Sequence, residues 1–361
     1  IDPIKAANLK LSFSDEKVIH YGIIPRSNRC IFVINELPDL QARIQVSLFN
    51  ILQEGDIQIR GFKLRMPLDI LFVFTANPED YTNRGSIVTP LKDRIESQIL
   101  THYPKTLETS LAITEQEADI LEAQKQRVDI SDLIKRLIEQ VSFEARSNEF
   151  VDKKSGVSAR LTIAAFENAI SSAERRAIIH NEKHTYVWIS DLMGIIPSIT
   201  GKIELVYEGE QEGPYEVALN LLNKSIRTQF IEYFPNPELL KKKKMVNKKG
   251  EEKALDNPYK AITTWFDGGN HLNLLLDMKD ADKVIALYKV DGLFGLVKKY
   301  YPQANEKEAA LLMEFVLHGL AAFSLINKKM IDGKIEFNDL MSSMMNLDSF
   351  GEEDYNESDY Q

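Results

Sequence analysis

Two apolar runs about forty residues apart constrain this chain more than anything else in it. Cys30-Ile31-Phe32-Val33-Ile34 stops abruptly at Asn35-Glu36, and Ile70-Leu71-Phe72-Val73-Phe74 passes through Thr75-Ala76 into Asn77-Pro78. Runs rich in β-branched and aromatic residues, without polar alternation, read as strands buried on both faces, hence as a parallel sheet covered by helices. Open α/β sheets gather their ligand chemistry at the carboxyl ends of such strands. Glu36 and Asn77 therefore fall along one candidate edge, and Pro90-Leu91-Lys92-Asp93-Arg94 adds a cation close behind. Carboxylate, polar sensor and arginine, in that order, suggest a nucleotide-hydrolysing core.

Length and composition narrow the classes. A chain of 361 residues and 41.2 kDa is expected to hold two or three domains. A net charge of −10 argues against a general nucleic-acid binder, which shows a basic excess. The single cysteine, Cys30, excludes a disulfide framework, fits a reducing cytoplasm and reads as strand core rather than nucleophile. No run approaches the roughly 18 apolar residues of a membrane span, and the first thirty residues do not resemble a signal peptide. The chain begins at Ile1 instead of Met, so an upstream portion is expected to be missing.

The order of elements is legible along the chain. Ile44, Leu48, Ile51 and Leu52 recur at helical spacing between Gln41 and Gln53, and Gly55 is placed to cap that helix. Asp56-Ile57-Gln58-Ile59 and Phe62-Lys63-Leu64-Arg65-Met66 alternate around Arg60-Gly61, a hairpin pattern over 56–66. The fold expected for 1–105 is thus the carboxyl-terminal part of an α/β core with a hairpin insertion. An all-helical domain is expected over 106–205. There Thr114-Glu115-Gln116-Glu117 has the form of a capping box ahead of Ile120 and Leu121, amphipathic helices cover 130–147 and 159–180, and Ser190-Asp191 opens another before Pro197. Residues 206–347 read as mainly helical, with a helix from Tyr215 to Tyr233 and a helix start at Asn305-Glu306-Lys307-Glu308. Lys241 to Lys249 lie in a basic, solvated linker near 241–253, and 348–361 form an acidic, disordered tail.

Phosphoryl transfer from a nucleoside triphosphate needs positioning and charge neutralisation more than covalent chemistry. Glu36, following a rigid strand, suits water activation. Asn77 suits hydrogen bonding to a γ-phosphate or the attacking water, and Arg94 suits a phosphate in its own or a neighbouring subunit. Other site classes are weaker. His180 and His184 have the i, i+4 spacing of ligands on one helix face, but no further Cys, His or Glu completes a metal set. No Gly-x-Ser-x-Gly elbow is present.

These residues resemble an AAA+ ATPase, of the group that contains the magnesium chelatase I subunit and the MoxR-like ATPases. Gly22-Ile23-Ile24-Pro25-Arg26-Ser27-Asn28-Arg29 leading into Cys30–Glu36 is similar to that group's Walker B region. Asn77 falls on its sensor 1 asparagine and Arg94 on its arginine finger. The hairpin at 56–66 falls on the insertion that marks the clade. The resemblance covers roughly residues 15–205. It also implies a sensor 2 arginine, for which Gly156-Val157-Ser158-Ala159-Arg160 makes Arg160 the candidate. Further implications are ATP and Mg²⁺ as cofactors, self-association into a ring, expected as a hexamer, and a separate partner carrying a von Willebrand factor A domain, with no nucleic acid and no membrane. Two departures stand out. Asn35 occupies the position of the Walker B aspartate, keeping an oxygen for Mg²⁺ (directly or through water) but losing the charge. No Gly-x-x-x-x-Gly-Lys-Ser/Thr loop appears in the 361 residues, so the chain alone is expected to bind nucleotide poorly.

The reading that follows is an ATP-hydrolysing subunit that remodels a partner. The alternatives are a non-hydrolysing regulatory ring component, which Asn35 motivates, and a scaffold whose function lies in the helices after residue 205.

Overall fold

The computed structural model describes residues 1–58, 65–77, 86–242, 257–331 and 333–340. The turn of the 56–66 hairpin, most of the basic 241–253 stretch and the 348–361 tail lie outside the described residues. The chain divides into two units, Ile1–His102 and a larger one from Tyr103 onward. The fold is mixed α/β, with short parallel and antiparallel sheets among many helices.

In the first unit β1 (Ile31–Ile34) and β4 (Leu71–Phe74) pair in parallel, Ile31 opposite Leu71 and Ile34 opposite Phe74. The connection between them runs through the helix Ala42–Glu54, β2 (Asp56–Gln58) and β3 (Arg65–Pro67). Gly55, at φ +63°, ends the helix in the left-handed conformation that glycine adopts without penalty, and its N–H returns to the Ile51 carbonyl. β2 and β3 are antiparallel, Asp56 opposite Pro67, and Arg65 closes on Asp56 at 2.9 Å.

Only one face of the β1–β4 pair is covered among the described residues. Phe32, Ile34, Phe72 and Phe74 are half-buried, and the core beneath is built from Leu37, Leu48, Ile51 and Leu91. The opposite face leaves Ile31 66%, Val33 51%, Leu71 62% and Val73 40% exposed. The expectation of strands buried on both faces is corrected here. The unpatterned run identified the strands, but the described residues supply a covering layer on one side only. Cys30 is likewise exposed and precedes β1, so it is not strand core.

The second unit has one continuous core, to which residues on both sides of position 205 contribute. The helices Asp132–Ser147, Arg160–Ile179 and Pro214–Tyr233 fall where the periodicity places them, the first capped by Ser131. Asn305 and Glu308 form the reciprocal capping box that opens the helix Glu306–Ala322. Gly319 of that helix lies against the Phe230 ring so closely that a Cβ would sit 2.0 Å from it, which lets the two helices approach.

Two local readings are corrected in this unit, and the mainly helical region after 205 carries a small sheet as well. Thr114 does not cap a helix; it lies inside Leu107–Glu117, whose N-cap is Thr106, and its buried hydroxyl donates to Glu139 at 2.6 Å. Ser190–Ile195 is a 3₁₀ turn, and Pro197 opens the following helix Ile196–Thr200 instead of stopping one. The carboxyl-terminal part also contains a sheet. β5 (Val128–Asp129) and β6 (Thr185–Tyr186) are a two-residue parallel pair, but β7 (Leu272–Leu275), β8 (Asn327–Ile331) and β9 (Lys334–Asn338) form an antiparallel sheet in the order β7-β9-β8. Gly333, at φ +74°, precedes β9 in the left-handed conformation that glycine adopts without penalty.

The charges at the centre of this unit are paired. Arg176 donates to Asp191 at 3.0 and 3.1 Å, to the Tyr186 carbonyl at 3.0 Å and to Asp280. Burial alone would drive its guanidinium towards neutrality, but the two carboxylates outweigh that and hold it protonated. Glu314, fully buried, accepts the Ile189 and Ser190 N–H groups at 2.9 and 3.1 Å and faces Lys283 at 3.7 Å.

Candidate active site

The carboxyl edge of the β1–β4 pair is organised by Thr75, which no motif singled out. Its N–H bonds the Ile34 carbonyl at 3.0 Å, continuing the parallel ladder one residue past β4. Its carbonyl accepts the Leu37 N–H at 2.9 Å and its hydroxyl accepts the Glu36 N–H at 3.0 Å. The same hydroxyl donates a long bond, 3.4 Å, to Asn35 Oδ1. These contacts hold Glu36 at φ +53°, ψ +58°, a left-handed conformation that costs a non-glycine residue about 1 kcal/mol or more. Leu37, fully buried, locks the turn from below.

The result is a residue fixed at its backbone by the neighbouring strand end. Asn35 and Glu36 are exposed, and the Glu36 carboxylate has no ion-pair or hydrogen-bond partner among the described residues. Asn77, exposed, follows two residues after Thr75 on the same edge. The structure thus brings Asn35, Glu36 and Thr75 together, while Asn77 is an exposed residue two positions further along the chain. A signal for Thr75 was present in its position, a hydroxyl residue closing an apolar strand.

Arg94 is not part of this cluster. Its guanidinium bonds Gln53 Oε1 at 2.7 and 3.1 Å and the Pro90 carbonyl at 2.7 Å, and it lies over the Phe49 ring at 5.3 Å. Those contacts tie it to the helix Ala42–Glu54. Gln45, buried nearby, clamps the following loop by donating to the Leu40 and Ser86 carbonyls and accepting the Val88 N–H.

Arg160 belongs to the second unit. It is the first residue of the helix Arg160–Ile179, is exposed, and its N–H bonds Ser158 Oγ at 3.2 Å. His180 and His184 do not share a helix face. The helix ends at Ile179, His180 caps it and contacts the Asp277 carbonyl, and His184 faces Asp129 at 3.5 Å.

A magnesium ion is not accommodated by these residues alone. Mg²⁺ takes octahedral oxygen ligands, with at least one carboxylate as a rule. Among the described residues no group of three His, Cys, Asp or Glu side chains converges, and Asn35 Oδ1 is already engaged by Thr75. No helix among the described residues is long and apolar enough to cross a membrane.

No family model matches the sequence, and no curated protein matches it. Among solved structures, the chain is similar to a candidate ATPase from Cytophaga hutchinsonii ATCC 33406, with 21% identity and a TM-score of 0.22. That match covers 54% of this chain and spans 65% of the other protein's length. A TM-score of this size carries no argument about function, which rests on the geometry of the edge.

Proposed function

We propose that this chain contributes the water-activating half of an ATP-hydrolysing site, in an AAA+-type subunit resembling the magnesium chelatase I and MoxR-like group. The observation that supports it is the Thr75-braced turn, which presents the Glu36 carboxylate, without a partner among the described residues, at the end of a parallel strand pair. In the proposed reaction Glu36 takes the proton of a water whose oxygen bonds the γ-phosphorus as the bond to the β–γ bridging oxygen breaks and ADP leaves, and Asn77 orients that water or the phosphate. Arg160 senses the nucleotide from the second unit. Ring assembly, the action of Arg94 on a neighbouring subunit and a von Willebrand factor A partner belong to the same reading. To reach a neighbour's phosphate, Arg94 would exchange its bonds to Gln53 for that contact.

The test is steady-state ATP hydrolysis by the protein at its native length. Glu36→Gln keeps the shape and removes the base, so turnover should fall by about 10²–10⁴-fold, the usual contribution of a general base. Background-level phosphate release from both proteins would instead favour the regulatory reading, which the neutral Asn35 in place of a carboxylate supports.

A further inference from the structure

The chain enters the second unit at Tyr103, and that residue does more than lead into the helices. Its hydroxyl accepts the Val157 N–H at 3.0 Å. Its ring lies beneath the Arg146 guanidinium, 4.3 Å from Cζ to the centroid, and Phe143 flanks the same cation at 5.3 Å. The Arg146 nitrogens are shielded from solvent and have no hydrogen-bond partner among the described residues; the cation lies against the two rings and within the field of Glu139.

Gly156 completes the arrangement. It sits at φ +70°, and a Cβ there would fall 2.3 Å from the Tyr103 hydroxyl oxygen. Both the backbone conformation and the space therefore demand glycine. Val157, next in sequence, is buried in the core, and the chain then runs through Ser158 and Ala159 to Arg160, exposed at the head of its helix. The Ser158 hydroxyl and carbonyl receive the N–H groups of Arg160 and Leu161 at 3.2 and 3.0 Å. One end of the Gly156–Arg160 segment is thus fastened by Tyr103 and the other by the helix itself.

We infer that Tyr103 is a positioning residue for Arg160. It ties the first residue of the second unit to the loop that sets where the arginine emerges. The inference rests on the ATP-hydrolysing reading for what Arg160 touches, but not for the fastening of the loop.

Two readouts test this in the native-length protein: amide hydrogen exchange over 155–161 and ATP hydrolysis kinetics. Tyr103→Phe retains the ring under Arg146 and removes the hydroxyl that accepts the Val157 N–H, so the thermal midpoint should hold while exchange at Val157 quickens. The KM for ATP should rise about fivefold with kcat little changed, the size expected for one neutral hydrogen bond. Arg160→Ala should raise KM at least as much, and adding Tyr103→Phe to it should change nothing further, because the clasp acts through Arg160. Unchanged exchange at 157–161 in Tyr103→Phe overturns the inference. So does a double variant whose KM effects multiply as if independent. If exchange quickens but Glu36→Gln leaves turnover intact, the clasp stands and the ATP-hydrolysing reading falls.

Discussion

The two units treat charge in opposite ways. In the unit Ile1–His102 the residues with chemical potential lie on the surface: Glu36 is exposed and without a partner among the described residues, Asn77 is exposed, and the buried apolar core beneath them consists of Leu37, Leu48, Ile51 and Leu91. In the unit from Tyr103 onward Arg176 and Glu314 are inside and answered. Arg176 meets Asp191 and Asp280, and Glu314 meets two backbone N–H groups and Lys283. A buried charge without a partner is expensive, so the second unit keeps these charges as architecture. A charge at a strand end, braced only through its backbone, stays available to a ligand. The difference is one of exposure: Glu36 and Asn77 face outward, whereas Arg176 and Glu314 are enclosed.

The largest test of that contrast is Arg176→Met. It strands Asp191 and Asp280 in the interior and should cost about 3–5 kcal/mol of stability, read by urea unfolding. A loss under about 1 kcal/mol, the size of an exposed ion pair, would mean the network is not architectural. Next is Leu48→Ala in the thinner core, expected to cost roughly 2–3 kcal/mol because its half-exposed neighbours can relax into the space. Amide exchange in β1 and β4 should quicken while that of the helix Glu306–Ala322 holds; equal quickening in both would show that the units do not open separately.

The third test uses pH. His318 is buried against Phe337, neither ring nitrogen has a hydrogen-bond partner among the described residues, and Lys328 and Lys283 are the charges that reach it. Burial and those two lysines hold its pKa well below the ordinary 6.5. Below pH 6.5 the unfolded chain binds a proton at this site that the folded chain does not, so stability falls as the pH drops. The limiting slope is about 1.4 kcal/mol per pH unit. His318→Leu should remove that slope while keeping the volume; an identical acid profile in the variant would assign the effect to other groups.

Local signals account for much of the fold. The two strands, the helix closed by Gly55, the helices headed by Ser131 and Asn305 and the helix Pro214–Tyr233 follow from periodicity and caps, which act over a few residues. The misreadings share a different cause. Thr114 has the spacing of a cap, but Glu139, 25 residues away, claims its hydroxyl. Leu272–Leu275 is a strand because it pairs with Lys334–Asn338, far along the chain. His180 and His184 have helical spacing, but the helix stops before either. At the candidate site Glu36 and Asn77 are visible as polar ends of apolar runs. The role of Thr75, which holds the turn, is not, because it exists only once β4 lies beside β1.

The sequence by itself determined the strands Ile31–Ile34 and Leu71–Phe74 and most helices, and it marked Glu36 and Asn77 as polar residues following those strands, because hydrophobic period and turn chemistry are local properties of the chain. Tertiary structure alone decided that one face of the strand pair is left uncovered by the described residues, that Arg94 is held by Gln53 and Pro90, that Tyr103 grips the Arg160 loop, and that Arg176 and Glu314 are internal partners. Each depends on groups distant in the chain meeting at hydrogen-bond or van der Waals range, and nothing in a residue's neighbours along the chain specifies which distant partner it will meet.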